Sequence, residues 1–236
     1  MDGSSNDGAS TRACSSYLTS WTTLIRATAE CNIAPFTGDN PASVIALSAH
    51  GDAILSLGTS TTFLLSIPPA DVPPTRFINS HLLAHPTNAS GKIAMLCFKN
   101  GALAREHIRD NYALGNWNRF NDLVESAPPG NSGYFGLYFL LPEIHPPNVV
   151  GQFFFRAENL RDKSTLIPVD AIPANAHPRA ILESQFLSIR SRLVDILPEK
   201  SFPLQRLVLT GGSSTNPTIL QLAAVCLFHR TSHAHV

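Results

Sequence analysis

Charge is scarce in this chain. Lysine and arginine number 17 and aspartate and glutamate 17 among 236 residues, so only 14% of the sequence is charged and the formal net charge is zero. A nucleic acid or an anionic membrane surface is met with a basic face, and this balance argues against both as partners. No apolar run reaches membrane-spanning length. The opening Met1-Asp2-Gly3-Ser4-Ser5 is polar, with neither a basic region nor an apolar core, and predicts no signal peptide. Cysteine is sparse too. Cys14, Cys31, Cys97 and Cys226 show no CxxC spacing, and Cys97 and Cys226 stand in apolar runs, which predicts reduced, buried thiols in a cytoplasmic chain. The sequon Asn88-Ala89-Ser90 is then expected to be unused. What the chain has is apolar substance: 44% of it is hydrophobic, enough for the core of one large domain or two small ones.

Two chemical devices stand about twenty residues apart. Gly38-Asp39-Asn40 sets an acid and an amide after a glycine. Leu57-Gly58-Thr59-Ser60-Thr61-Thr62 lies between the apolar runs 53–57 and 63–67 and reads as a hairpin with a glycine and hydroxyl turn. Such a turn offers backbone N–H groups and hydroxyls to an anion, because glycine lets a ligand approach the backbone. A nearby carboxylate can take a proton from a substrate hydroxyl, and a phosphate cradle with a base is the minimum set for phosphoryl transfer. Taken singly, each motif is also an ordinary turn or loop.

Residues 1–16 read as disordered and 17–28 as a weak helix at most. Pro41 suits the first turn of a short helix, 41–48, with Asn40 as its cap. Strands are expected at His81–His85 and Lys92–Phe98, then a helix from Asn100, as cap, to about Asp110, with Glu106 and Arg109 as an intrahelical ion pair. A further helix starts at Asn116-Trp117 and reaches Ser126. Strands follow at Tyr134–Leu141, ended by Pro142, and at Gln152–Arg156, before a proline-rich connector over 168–178. Ile181, Leu182, Gln185, Ile189 and Leu193 recur at helical spacing, giving a helix from Pro178 to a stop at Pro198. Arg206–Thr210 is a buried strand. Gly211-Gly212-Ser213-Ser214-Thr215-Asn216 then opens a helix from about Pro217 to Leu227. A strand, a Gly-Gly turn and a helix N-terminus can hold a nucleotide, although many α/β proteins carry such a turn. His229, His233 and His235 invite a metal reading, but they stand in a terminal tail with no second cluster, and no metal ligands are expected.

As a set, Phe36-Thr37-Gly38-Asp39-Asn40-Pro41-Ala42-Ser43, Ser56-Leu57-Gly58-Thr59-Ser60, the run Lys99 to Asp110, Gly136-Leu137-Tyr138-Phe139 and the Gly211-Gly212 segment resemble the C-terminal domain of the FGGY carbohydrate kinases. Within that family the likeness is greatest to the eukaryotic, fungal-type xylulokinase branch, and it runs from about Cys31 to Leu227. The resemblance implies a ribonuclease H-like, actin-type ATPase α/β domain over 31–236, with a mixed sheet and flanking helices, after a leader of residues 1–30. It implies Asp39 as general base and Asn40 beside it on the sugar. Gly58, Thr59 and Ser60 would face the phosphates of ATP, and Trp117, Gly211, Gly212, Ser213 and Asn216 its adenosine. Mg²⁺ would neutralise the transferring phosphate, and D-xylulose would be the acceptor. The family's N-terminal kinase domain and its final strand and helix have no counterpart here. The chain therefore reads as incomplete at both ends, with that domain as its natural docking partner. Two alternatives stay open: a non-catalytic nucleotide-binding domain, and a kinase for glycerol, gluconate or ribulose.

Overall fold

The apolar runs flanking Gly58 pair as the hairpin pattern predicts. The computed structural model describes residues 38–49, 51–67, 81–88, 90–158, 165–196 and 205–228, so the leader, the stop at Pro198 and the terminal histidines lie outside the described residues. β1 (Asp52–Leu57) and β2 (Thr61–Ile67) are antiparallel, with Leu57 opposite Thr61 across the turn. β2 pairs with β4 (Lys92–Phe98), which carries β3 (His81–Ala84) on its other side. β8 (Arg206–Thr210) lies parallel to β1, giving a five-stranded mixed sheet in the order β3-β4-β2-β1-β8.

Strands β1 and β2 are buried almost without interruption because both faces of the sheet are covered. Ala53, Leu55, Leu57, Phe63 and Leu65 face the larger core. That core is closed by α2 (Ala102–Tyr112), α3 (Trp117–Ser126), α4 (His177–Ile196) and α5 (Pro217–Phe228). Ile54, Leu64 and Ile93 point the other way and pack with Val44 of α1 (Asp39–Leu47). The period of two along each strand thus sends successive side chains to two separate clusters.

A second sheet, β5-β6-β7, is built from Tyr134–Phe139, Gly151–Ala157 and Leu166–Val169 in antiparallel order. Its third strand falls partly where a proline connector was expected. Pro168 is tolerated because this strand lies at the sheet's edge. The strand from Tyr134 stops at Phe139, short of Pro142, where Leu141 N–H turns away to the side-chain oxygen of Asn100 at 2.9 Å.

Three capping and pairing expectations are corrected. The cap of α1 is Gly38, and Asn40 lies inside the helix. The cap of α2 is Gly101. Asn100 is instead buried, its amide giving hydrogen bonds to Glu143 at 2.8 Å and to the carbonyl of Leu141 at 2.9 Å, so a partner 43 residues away outcompetes the local cap. Arg109 pairs with Asp110 at 2.7 Å and not with Glu106. Its guanidinium is drawn over the Trp117 ring, 4.8 Å from the centroid, which turns it away from Glu106. Cys226 is buried as expected, whereas Cys97 is only half-buried, on β4 beyond the last residue that pairs with β3.

His177, the first residue of α4, joins α2 to the second sheet. It is buried, stacked on Tyr112 with ring centroids 3.8 Å apart, and its Nδ1 lies 2.9 Å from the Tyr138 hydroxyl. Burial lowers its pKa to about 4, against a smaller opposing effect from a backbone hydrogen bond at Ile172. The unfolded chain takes up this proton near pH 6.5 and the folded one near 4. Stability from the neutral ring is therefore complete above the unfolded value and falls as the pH drops towards the folded one. In urea titrations, the stability advantage of the native chain over His177→Gln should shrink by up to roughly 3 kcal/mol between neutral pH and pH 4. Parallel profiles would show that the ring is not held neutral.

Candidate functional site

β1 and β8 run parallel and end together, and each is followed at once by a glycine. Gly58 opens the hairpin turn, and Gly211 opens the short 3₁₀ turn Gly212–Thr215 that leads into α5. A cleft of about 660 Å³ lies against these two turns. Its walls come from the Gly58-Thr59 turn, from Ala102 and Glu106 on α2, from Trp117, Asn118 and Asn121 on α3, and from the segment Gly212 to Ile219.

The turns are close to one another because glycine permits it. Gly211 has φ +86°, and a Cβ there would come within 2.8 Å of the Leu57 carbonyl carbon. Gly101, at the head of α2, would meet the Thr59 carbonyl oxygen at 2.7 Å and the Thr61 nitrogen at 2.8 Å. The Ala102 N–H donates to the Gly58 carbonyl at 3.0 Å, which fixes the first turn of α2 to the hairpin. Gly212 has open space where a side chain would stand.

Asn216 caps α5 through its Oδ1, which accepts from the Ile219 N–H at 3.2 Å, and its Nδ2 donates to Asn121 at 2.9 Å. Thr218 gives a second link between α5 and α3, donating to Glu125 at 2.6 Å. Trp117 is half-buried, edge-on to Phe120 at 5.2 Å, with Arg109 over one face.

Six of the residues singled out from sequence therefore share the cleft: Gly58, Thr59, Trp117, Gly212, Ser213 and Asn216. Ser60 and Gly211 lie next to cleft residues in the chain but do not line it. Asp39 and Asn40 do not line it either. They sit at the start of α1, on the other face of the sheet, where Asp39 is exposed and accepts the Asn40 N–H at 2.8 Å. Glu106, Asn118 and Asn121 line the cleft and were not marked from sequence. Helical spacing was the available signal, since Asn121 follows Trp117 by four and Glu106 follows Ala102 by four.

Residues 53–228 match the family described as "FGGY family of carbohydrate kinases, C-terminal domain". The chain belongs to this family. It is 37% identical over 195 residues to a xylulose kinase of Rattus norvegicus, covering 82% of this chain and 34% of that one. A probable D-xylulose kinase A of Aspergillus flavus is 42% identical over 219 residues, covering 84% and 37%. Among solved structures, the ligand-bound xylulose kinase of Lactobacillus acidophilus superposes with a TM-score of 0.66 at 16% identity, over 87% of this chain and 40% of that one, which supports the actin-like α/β fold. The chain thus spans about a third of the length of the curated relatives it matches.

The two adjacent glycines differ in what a side chain would meet. Gly211→Ala should destabilise the chain by about 2–4 kcal/mol, from positive φ and backbone contact together, while Gly212→Ala should cost less than about 1 kcal/mol. Thermal unfolding of both variants tests this, and equal losses would mean that the approach of Gly211 to β1 is not rigid.

Proposed function

We propose that this chain forms the nucleotide-binding, base-bearing part of an ATP-dependent carbohydrate kinase that phosphorylates D-xylulose. One observation carries the reading. In a member of a sugar kinase family, two glycine turns, an aromatic ring and a helix N-terminus line a single cleft of about 660 Å³. That volume suits a nucleotide. On this reading the α5 N-terminus and the Gly212-Ser213 amides face the anionic or ribose part of the ligand, and Trp117 offers its ring to the base. Gly58, Thr59 and Ser60 receive the phosphates. Gly211 acts through the backbone by keeping its turn against β1. D-xylulose as acceptor rests on the names borne by the relatives and on the Lys99–Asp110 and Phe36–Ser43 runs.

The chemistry asked of this chain is proton removal and positioning. Asp39 is exposed, and among the described residues its carboxylate accepts only the Asn40 N–H, so it can accept the proton of a sugar hydroxyl as that oxygen attacks the terminal phosphorus. Asn40, beside it, orients the sugar. The phosphoryl group then leaves the nucleotide for the sugar oxygen. The turn amides hold the charge that builds on its oxygens.

The Mg²⁺ expected of such a reaction finds no resident cage. Among the described residues no group of three or more His, Cys, Asp or Glu side chains converges. Magnesium would enter with the phosphates of the nucleotide. A cytoplasmic location fits an ATP-dependent reaction and the two free thiols, Cys97 and Cys226.

Two measurements test the proposal. Gly212→Val should weaken ATP binding about tenfold or more while the melting temperature stays put, because the new side chain enters open cleft space. Unchanged affinity would remove this turn from the nucleotide site. Asp39→Asn should lower kcat by roughly 10²–10⁴ with a smaller change in KM, since a general base acts in the transition state. It is assayed by ADP release with D-xylulose, in a chimera carrying residues 38–228 within a full-length xylulose kinase. Normal turnover would exclude Asp39 as the base.

A further inference from the structure

Arg105 is fully buried on α2, between the cleft and the core. It donates to the Gln185 side-chain oxygen on α4 at 2.8 Å and to the Ser213 hydroxyl at 3.1 Å. Its Nε has no hydrogen-bond partner. Among the described residues no carboxylate forms an ion pair with it. Gln185 passes the connection on, donating to the carbonyls of Asn100 at 2.7 Å and Gly101 at 3.2 Å. One side chain therefore bridges the Gly211-Gly212 turn and, through Gln185, the glycine that presses on the phosphate-side hairpin.

A buried cation without an anion costs several kcal/mol of desolvation, and two neutral hydrogen bonds offset only part of that. Burial pulls the guanidinium down to about 10, against the field of Glu106, so it keeps its charge at neutral pH. Glu106, the neighbouring acid, lines the cleft itself. Ser213, to which Arg105 donates, lines the same cleft, so an anion bound there would stand one hydroxyl away from the guanidinium.

We propose that Arg105 is a positioning residue for the anionic part of the bound nucleotide: it registers the Ser213 turn against α2 and supplies the unpaired positive charge that the polyphosphate answers. The proposal rests on the nucleotide reading of the cleft. It differs from a purely structural role in one respect. A structural prop would matter equally for every ligand of the cleft, whereas a charge of this kind matters for phosphates and not for the nucleoside.

The experiment measures binding of ATP and of adenosine to the full 236-residue chain by calorimetry, with melting temperatures alongside. Arg105→Met should weaken ATP about tenfold and adenosine by less than about twofold. Arg105→Lys should recover most of the ratio of the two affinities, since it restores the charge but not the fork of donors. Arg105→Gln retains polarity without charge and serves if the methionine variant does not fold. It should lower the ratio as methionine does. Equal losses for both ligands, or an unchanged ratio in the uncharged variant, would overturn the proposal. A native chain that binds neither ATP nor adenosine would overturn the nucleotide reading itself, a result distinct from an unchanged ratio.

Discussion

At the ends of β1 and β8 the backbones of three separate segments come into direct contact, and only glycine allows it. Gly211 presses on Leu57, and Gly101 presses on Thr59 to Thr61 from the head of α2. A Cβ at either position would stand under 3 Å from backbone atoms that have no rotamer to yield. The rest of the cleft follows from these contacts. They bring the strand-to-helix turn before α5 and the hairpin turn into one neighbourhood. They also set α2 at the depth where Ala102 and Glu106 become a wall. α3 then closes the opposite side through Asn121 on Asn216 and Glu125 on Thr218.

Behind the glycines lies a layer of buried polar groups that fixes their register. Glu143 accepts from the N–H groups of Lys99 at 2.8 Å and Asn100 at 3.1 Å and from the Asn100 amide, which locks the turn between β4 and α2. Gln185 takes up the next two carbonyls, and Arg105 continues to Ser213. Arg179 does comparable work in the first turn of α4, bonded to Glu183 at 2.6 Å and to the carbonyls of Val124 and Ala127 that end α3. Buried polar chains of this kind add little net stability where every partner is present, and losing one partner is expensive. They favour one arrangement of the helices over near alternatives, which an apolar filling alone would leave close in energy.

The sequence made the elements readable where the signal was local. The hairpin and the long helix before Pro198 follow from runs and spacings that burial then respects, and the glycine turns could be marked because a strand and a helix flank them. The run Arg206–Thr210 is a strand as expected but not a buried one: as the last strand in the sheet order its residues are exposed or half-buried. What stayed hidden is tertiary. Asn100 looks like a cap until Glu143 arrives from 43 positions away. Arg105 is indistinguishable from a surface helix residue until α4 and the Ser213 turn enclose it. Glu106 and Arg109 have the spacing of an ion pair, yet Trp117 offers the guanidinium a ring face instead. Leu166–Val169 is masked by a proline whose tolerance depends on its being the edge strand of a second sheet. The membership of the cleft was therefore more legible than the scaffold that holds it.

The position of Asp39 away from the cleft is consistent with the chemistry proposed for it. α1 is anchored at its C-terminal end to the start of β1: Asp52 accepts the Ala49 N–H at 2.8 Å and is bonded to Arg206 at 2.6 Å. The helix then lies back along β1 and β2, with Val44 packed among Ile54 and Leu64. Nine residues of helix advance about 13 Å, and six of strand nearly 20 Å. The N-terminal end of α1 is thus directed towards the hairpin turn, on the face of the sheet opposite α2 and α5. A nucleotide in the cleft and a sugar at Asp39 would approach one another over the end of the sheet, with Gly58-Thr59-Ser60 between them. A turn built of glycine and hydroxyls fits such a crossing point, because a bulky side chain there would stand between the attacking oxygen and the phosphorus it must reach.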